Sequence, residues 1–239
     1  TILITCETSG RLIPEMLVSC DVKSNKNQAG FASDDAVDVC GGEVAQELGA
    51  LLRAPVLSQK YRSDWIDVSR SLHHRNLLGD LPRSWPAERQ QQLIDVAYHP
   101  FRAAVETAIT RVLQQYTFVI HLSVRSFASQ QGGKRRRTDI GLMYDPSRQD
   151  ELDLCTDWIN DLYFAYPNLR VRRNYPRRGT TDCLTKAMRG RFPEDHYMGI
   201  EVGVNRAWAG RRVRLRDEAL SQFAESLRRC IGVADVEAA

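Results

Sequence analysis

The sequence predicts an α/β fold on three observations. Short apolar stretches that read as strands alternate with segments of helical period, no low-complexity tract interrupts them, and 239 residues suffice for one sizeable core. The clearest strand signal is residues 118–127, Phe-Val-Ile-His-Leu-Ser-Val-Arg-Ser-Phe. Strand side chains alternate between faces, so His121, Ser123 and Arg125 share one face and Ile120, Leu122 and Val124 the other. Ligands of open α/β sheets sit beyond the carboxyl ends of the strands, so a polar row emerging there is a candidate site floor.

Residues 2–5 read as a buried strand, followed by the polar turn Cys6-Glu7-Thr8-Ser9-Gly10. Residues 19–38 are polar and irregular, a candidate site loop. Residues 39–52 have helical apolar spacing at Val44, Leu48, Leu51 and Leu52. Residues 55–57 and 65–68 read as strands. His73 and His74, being adjacent, cannot both face one metal from a regular element and read as surface or hydrogen-bonded residues. Residues 87–115 are helical in pattern, with a kink or restart expected at His99-Pro100, where proline removes a helix hydrogen bond.

After the 118–127 strand, residues 130–138 read as a basic loop and 139–144 as a strand. Residues 151–166 form an amphipathic helix with Leu154, Trp158, Ile159 and Leu162 on its core side. Residues 169–172 are strand-like, 174–179 a basic turn, 184–192 helical, 197–205 an alternating strand and 215–230 a closing helix. One three-layer α/β domain spanning residues 1–239 is the expected architecture.

The formal charge is only +3 but unevenly placed, with basic clusters at 134–137, 170–178 and 206–216. The six cysteines, at 6, 20, 40, 155, 183 and 230, show no metal-knuckle spacing and read as reduced thiols. No apolar run approaches the roughly 18 residues of a membrane helix. No signal peptide is recognisable at the first residue given, so a soluble, cytoplasmic protein without membrane partners is expected.

The polar motifs, in order, resemble the N-formylglutamate amidohydrolase family. They are Ile-Thr-Cys-Glu-Thr-Ser-Gly at 4–10, Ile-Asp-Val-Ser-Arg-Ser-Leu at 66–72 and His-Leu-Ser-Val-Arg-Ser-Phe at 121–127. Thr-Asp-Ile-Gly-Leu-Met-Tyr-Asp-Pro at 138–146, Arg-Arg-Asn-Tyr-Pro-Arg-Arg-Gly at 172–179 and Gly-Ile-Glu-Val-Gly-Val-Asn at 199–205 follow. The resemblance implies a zinc-carboxypeptidase and phosphorylase/hydrolase-like domain, with a mixed sheet between helices. It also implies a zinc-dependent hydrolase that cleaves an N-acyl group from an acidic amino acid. A catalytic zinc keeps an open position for water and lowers its pKa toward neutrality.

The departures from the family pattern concentrate at the metal. Thr8 and Arg125 stand where the resemblance implies histidine ligands, and Asp34-Asp35 replace a His-Arg pair. Asp38 aligns with the acidic ligand. Gly203 replaces one acid of the family's Glu-x-Glu-x-Asn, leaving Glu201 two residues away. Arginine offers only donors and cannot ligate zinc. A substitute metal set would be Glu7, Asp38 and His121, with His121 set back along the strand. The alternative is electrostatic replacement, with Arg125 paired to Asp38 or Glu7.

The expected catalytic residues are therefore Glu201, Arg125 and Glu7. The expected substrate-binding residues are Arg70, Arg173, Asn174, Arg178, Asp182 and Asn205; Arg170 and Arg177 rank below Arg178. Three readings follow. The first is amide hydrolysis of N-formylglutamate or a related N-acylated acidic ligand. The second is a relative that binds a small anionic acyl-amino-acid or peptide ligand without zinc hydrolysis. The third, nucleic-acid binding through the basic clusters, is not expected, because only Trp208 stands near them for stacking.

Overall fold

The computed structural model describes residues 1–18 and 37–232. The expected site loop therefore lies outside the described residues except for Val37 and Asp38, and so do Asp34 and Asp35. Among the described residues the elements run β1 (Ile2–Cys6), α1 (Glu15–Val18), α2 (Val39–Leu52), β2 (Val56–Ser58), α3 (Asp80–Arg83) and α4 (Ala87–Leu93). A π-helical turn (Ile94–Tyr98) leads into α5 (His99–Leu113), then β3 (Val119–Phe127), β4 (Gln130–Gln131), β5 (Lys134–Arg135) and β6 (Ile140–Met143). The chain continues through α6 (Gln149–Ala165), β7 (Val171–Arg173), α7 (Leu184–Arg189), β8 (Tyr197–Asn205), a 3-10 turn (Arg206–Gly210) and α8 (Val213–Cys230).

Six strands form one mixed sheet in the order β2-β1-β3-β8-β6-β7. β2, β1, β3 and β8 are mutually parallel, and β6 runs antiparallel to β8. Helices cover both faces. Ile4, Leu122, Val124 and Val202 pack with α2, α6 and α8 on one side; Leu3, Val119 and Tyr197 pack with α4, α5 and α7 on the other. The central strands are apolar on both sides because both sides are covered. No helix among the described residues is long and apolar enough to cross a membrane.

Asp38 caps α2 by accepting from the Gly41 N–H, which satisfies one of the orphan donors of a helix start. Its buried stripe Val44, Ala45 and Leu48 faces the sheet. The helix ends at Arg53 in the left-handed region, φ 51°.

Several sequence expectations shift. Residues 65–68 are not a strand: they form turns, with a single bridge from Ile66 to Leu78. Trp65, Ile66 and Val68 are buried nonetheless, so their apolarity reflects burial in an irregular segment. The restart expected at His99-Pro100 is present: α4 gives way to the π turn, and α5 begins at His99 with Pro100 in its first turn and ends at Leu113. The proline is tolerated there because a first-turn N–H has no α-helical partner to lose. The 130–138 loop contains a hairpin whose Gly132 and Gly133 have φ of 55° and 73°, the requirement of a two-residue primed turn. The helix expected at 184–192 stops at Arg189.

Candidate active site

The carboxyl ends of β1, β3 and β8 are brought level by their parallel register, which sets Thr5 beside Ser123 and Ser123 beside Glu201. The alternation read from the sequence places His121, Ser123 and Arg125 on the face of the α4, α5 and α7 layer. Thr5 and Glu7 join them from β1 and its continuation. Four of these groups form a buried chain. Tyr197 OH lies 2.7 Å from His121 Nδ1, and His121 Nε2 lies 2.8 Å from Thr5 Oγ1. Thr5 donates to Glu7 Oε1 at 2.5 Å, and Ser123 donates to Glu7 Oε2 at 2.8 Å.

Burial pushes the His121 pKa down to about 3, so the ring is neutral. With Thr5 donating to Glu7, the consistent tautomer carries its proton on Nε2 and accepts from Tyr197 at Nδ1. Burial raises the Glu7 pKa, and the hydroxyls of Thr5 and Ser123 offset that only in part.

Asp38 is bound from three sides. Its Oδ2 accepts from Thr8 Oγ1 at 2.8 Å and from the Ser126 N–H at 2.7 Å, while Oδ1 accepts from the Gly41 N–H at 2.9 Å. Burial favours its neutral form, but these bonds outweigh burial and hold the carboxyl below its ordinary value. Asp38 thus ties the ends of β1 and β3 to the start of α2.

Arg125 is the cation among these acids. Burial opposes its charge, yet the Asp67, Glu201, Glu7 and Asp38 carboxylates together raise its pKa. Its ion pair is with Glu201, Nη1 to Oε2 at 4.0 Å; no ion pair links it to Asp38 or Glu7 as electrostatic replacement had anticipated. Each of those two acids is instead held by other donors, Glu7 by two hydroxyls and Asp38 by the Thr8 hydroxyl and two backbone N–H groups. Arg177, ranked below Arg178 from the sequence, takes Glu201 Oε2 directly. Of the buried side-chain atoms that lack a hydrogen-bond partner among the described residues, two face each other here: Arg125 Nη1 and Glu201 Oε1.

The basic loop after β7 is set by Asn174, in the left-handed region at φ 47°. Its Oδ1 accepts from the N–H groups of Gly179 at 2.8 Å and Tyr144 at 3.2 Å. The loop presses so closely on β6 that a Cβ at Gly141 would lie 1.7 Å from the Tyr175 carbonyl oxygen, which requires glycine there. Asn174 therefore builds the loop that delivers Arg177.

Arg173, the last residue of β7, and Arg178 in the loop are exposed. Asn205 is buried and engaged structurally: Nδ2 donates to the Thr138 carbonyl at 2.8 Å, and Oδ1 caps the following 3-10 turn. Arg70 binds Asp67 at 3.2 Å and the Asp182 carbonyl at 2.9 Å, and Asp182 accepts from the Ser71 N–H at 2.9 Å. These last contacts pin the 67–71 segment over the site.

The donor set among the described residues does not fit a zinc ion. No group of three or more His, Cys, Asp or Glu side chains that could hold a metal occurs among the described residues. The substitute set of Glu7, Asp38 and His121 does not come together as ligands. His121 sits four residues behind Arg125, roughly 13 Å along the strand, and both its nitrogens are engaged by Thr5 and Tyr197. Trp208, the aromatic near the basic clusters, is fully buried and unavailable for stacking.

Asp67, Ser126, Thr5 and Tyr197 belong to the site although sequence reasoning did not select them. Asp67 and Ser126 lay inside the quoted motifs, Thr5 was a polar position alternating onto the face of Glu7, and Tyr197 carried no signal.

The fold is similar to that of two solved structures. One is the gene product Atu2144 from Agrobacterium tumefaciens, with a TM-score of 0.76 at 19% identity, over 97% of this chain and 90% of that one. The other is the N-formylglutamate amidohydrolase from Ralstonia eutropha JMP134, with a TM-score of 0.68 at 15% identity, over 97% and 93%. No curated protein matches the sequence. The family model for N-formylglutamate amidohydrolase matches residues 1–218, which contain all the polar strand ends. The chain belongs to the N-formylglutamate amidohydrolase family, as a member in which Thr8 and Arg125 stand at the positions where the motif resemblance implies histidine.

Proposed function

We propose that this chain is an amidohydrolase-type protein whose site receives an N-acylated acidic amino acid, such as N-formylglutamate, or a related amide. Arg125, not zinc, meets the acyl oxygen. The observation that carries this reading is the pair of unpartnered buried atoms, Arg125 Nη1 and Glu201 Oε1. Leaving such charged groups unmade costs more than leaving neutral ones, and an amide complements both: its carbonyl accepts from Arg125 and its N–H donates to Glu201.

Arg125 cannot lose its proton, so it acts as a fixed electrophile for the negative charge that builds on the carbonyl oxygen as water adds. Glu201 is the candidate base that takes the proton of that water and passes it to the departing nitrogen as the C–N bond breaks. Glu7, with its raised pKa, is the neighbouring acid suited to hold a proton. The exposed Arg173 and Arg178 are available to a ligand carboxylate.

A second reading, binding without turnover, is favoured by the ion pair from Arg177 to Glu201. That contact already engages one oxygen of the carboxylate, Oε2, with a fixed cation. The test is to incubate purified protein with N-formyl-L-glutamate and a panel of N-acyl amino acids, with chelator and with added zinc. Released acid and calorimetric binding are followed in parallel. Chelator-insensitive turnover that Arg125→Met and Glu201→Gln each remove supports hydrolysis. Saturable binding without product selects the second reading. Zinc-dependent turnover overturns the role given to Arg125, and neither binding nor turnover overturns both.

A further inference from the structure

At the β7 edge of the sheet, beside the C-terminal half of α6, lies a groove of about 260 Å³. Its floor is aliphatic, including Ile159, Leu162, Leu169 and Val171, while Arg137, Arg170 and Arg172 stand around it. Tyr163 lines the groove and forms an edge-to-face pair with Phe164, ring centroids 5.6 Å apart. These rings are 70% and 82% exposed, the most exposed large apolar side chains among the described residues. An exposed aromatic pair beside a concave apolar floor marks an interaction surface rather than a scattered apolar residue.

The groove is smaller than the roughly 300–1,000 Å³ of pockets that enclose drug-sized ligands. It has room for one anchoring side chain. β7 is the last strand of the sheet, so among the described residues its outer edge has no strand partner, and such an edge can accept an added strand. The charge of the rim selects the partner. Arg170 is paired with Asp139, but Arg137 and Arg172 have no ion pair among the described residues, and Arg172 rests over the Tyr175 ring at 5.9 Å.

We propose that this groove docks an acidic, extended segment of another protein, which lies along β7 and inserts one apolar or aromatic side chain between α6 and β7. Tyrosine and arginine are the residue types that carry binding energy at such surfaces. A single-stranded nucleic acid suits the groove less well, because stacking needs an open aromatic platform and the floor here is aliphatic and concave.

The test uses the full chain and a fluorescent synthetic peptide in which acidic residues and valines alternate around a central phenylalanine. Saturable binding that weakens with salt is expected, with amide chemical-shift changes concentrated in residues 159–173. Tyr163→Ser and Arg172→Glu, both at exposed positions, should each weaken it about tenfold or more while leaving the unfolding temperature unchanged. Absence of saturable binding at millimolar peptide overturns the proposal. So does equal binding of a peptide with lysines in place of the acids, or binding that neither variant affects. Tighter binding of an oligothymidylate at the same residues assigns the surface to nucleic acid instead.

Discussion

Arg125 and Gly203 face each other across the β3–β8 pairing. The space beside Gly203 is already filled: a Cβ there would lie 3.0 Å from Met143 Cε and 3.3 Å from Phe127 Cδ1. The acid that the motif resemblance implies at 203 would need Met143 and Phe127 to give way by a few tenths of an ångström and would lie beside the guanidinium. The arginine, the glycine and the packed Phe127 are therefore one arrangement, and the site is remodelled rather than merely missing ligands.

That remodelling should be reversible at the metal. Thr8 bonds Asp38 at 2.8 Å, and the backbone N–H next to Arg125 bonds it at 2.7 Å, so positions 8 and 125 flank this carboxylate. The double variant Thr8→His/Arg125→His is expected to bind zinc stoichiometrically, with Asp38 as third ligand. Elemental analysis against the unaltered chain, which is expected to hold none, checks it.

Glu201→Gln removes the carboxylate that Arg177 binds and Arg125 approaches, leaving both cations without it. A destabilisation of about 3 kcal/mol is expected in urea unfolding. Arg125→Met in the same background should recover part of the loss, so the pair costs less than the sum of the single changes.

His121 titrates far below its ordinary 6.5, at about 3. The unfolded chain therefore takes up its proton first. Stability contributed here falls as pH drops from about 6.5 toward 3, by at most about 1.4 kcal/mol per pH unit. Glu7 acts the other way, because its raised folded pKa adds stability as the pH falls through it. Comparing the chain with His121→Gln by urea unfolding at several pH values separates the two. The stability difference between them should shrink as the pH is lowered from 7 to 4, and parallel curves would contradict this.

Asp38→Ala should cost about 3 kcal/mol, from a lost helix cap plus the buried Ser126 N–H and Thr8 hydroxyl left without an acceptor. The folded pKa of Asp38 is depressed, so its contribution is present above the ordinary carboxylate range and disappears as pH falls through the lower folded value. Thermal unfolding of chain and variant should differ at neutral pH and converge in strong acid.

The strands of the sheet centre were legible because a buried strand with one polar face writes a period of two into the sequence, as His121, Ser123 and Arg125 do. Residues 39–52 were legible by the same logic at helical period. Residues 65–68 misled because apolarity reports burial, not backbone conformation: Trp65 and Ile66 are as buried as strand residues yet sit in turns. The motif resemblance pointed to Glu7, Arg125 and Glu201. The choice of Arg177 over Arg178 was not legible, because it depends on how Asn174 bends the loop against β6. Nor was the link between His121 and Tyr197, which are distant in sequence and meet only through sheet register.

The π turn ahead of α5 settles a question of angular phase. Leu93, Ala97, Phe101, Val105 and Ile109 are all buried, a strict spacing of four. On an ideal helix of 3.6 residues per turn that stripe would wander about 160° between Leu93 and Ile109, carrying its far end toward solvent. One extra residue in the wide turn takes back about 100° of that drift, so a four-residue repeat stays on one face without supercoiling. The turn works as a phase corrector, and removing a single residue between 94 and 98 would swing Phe101, Val105 and Ile109 out of register with the polar row they cover.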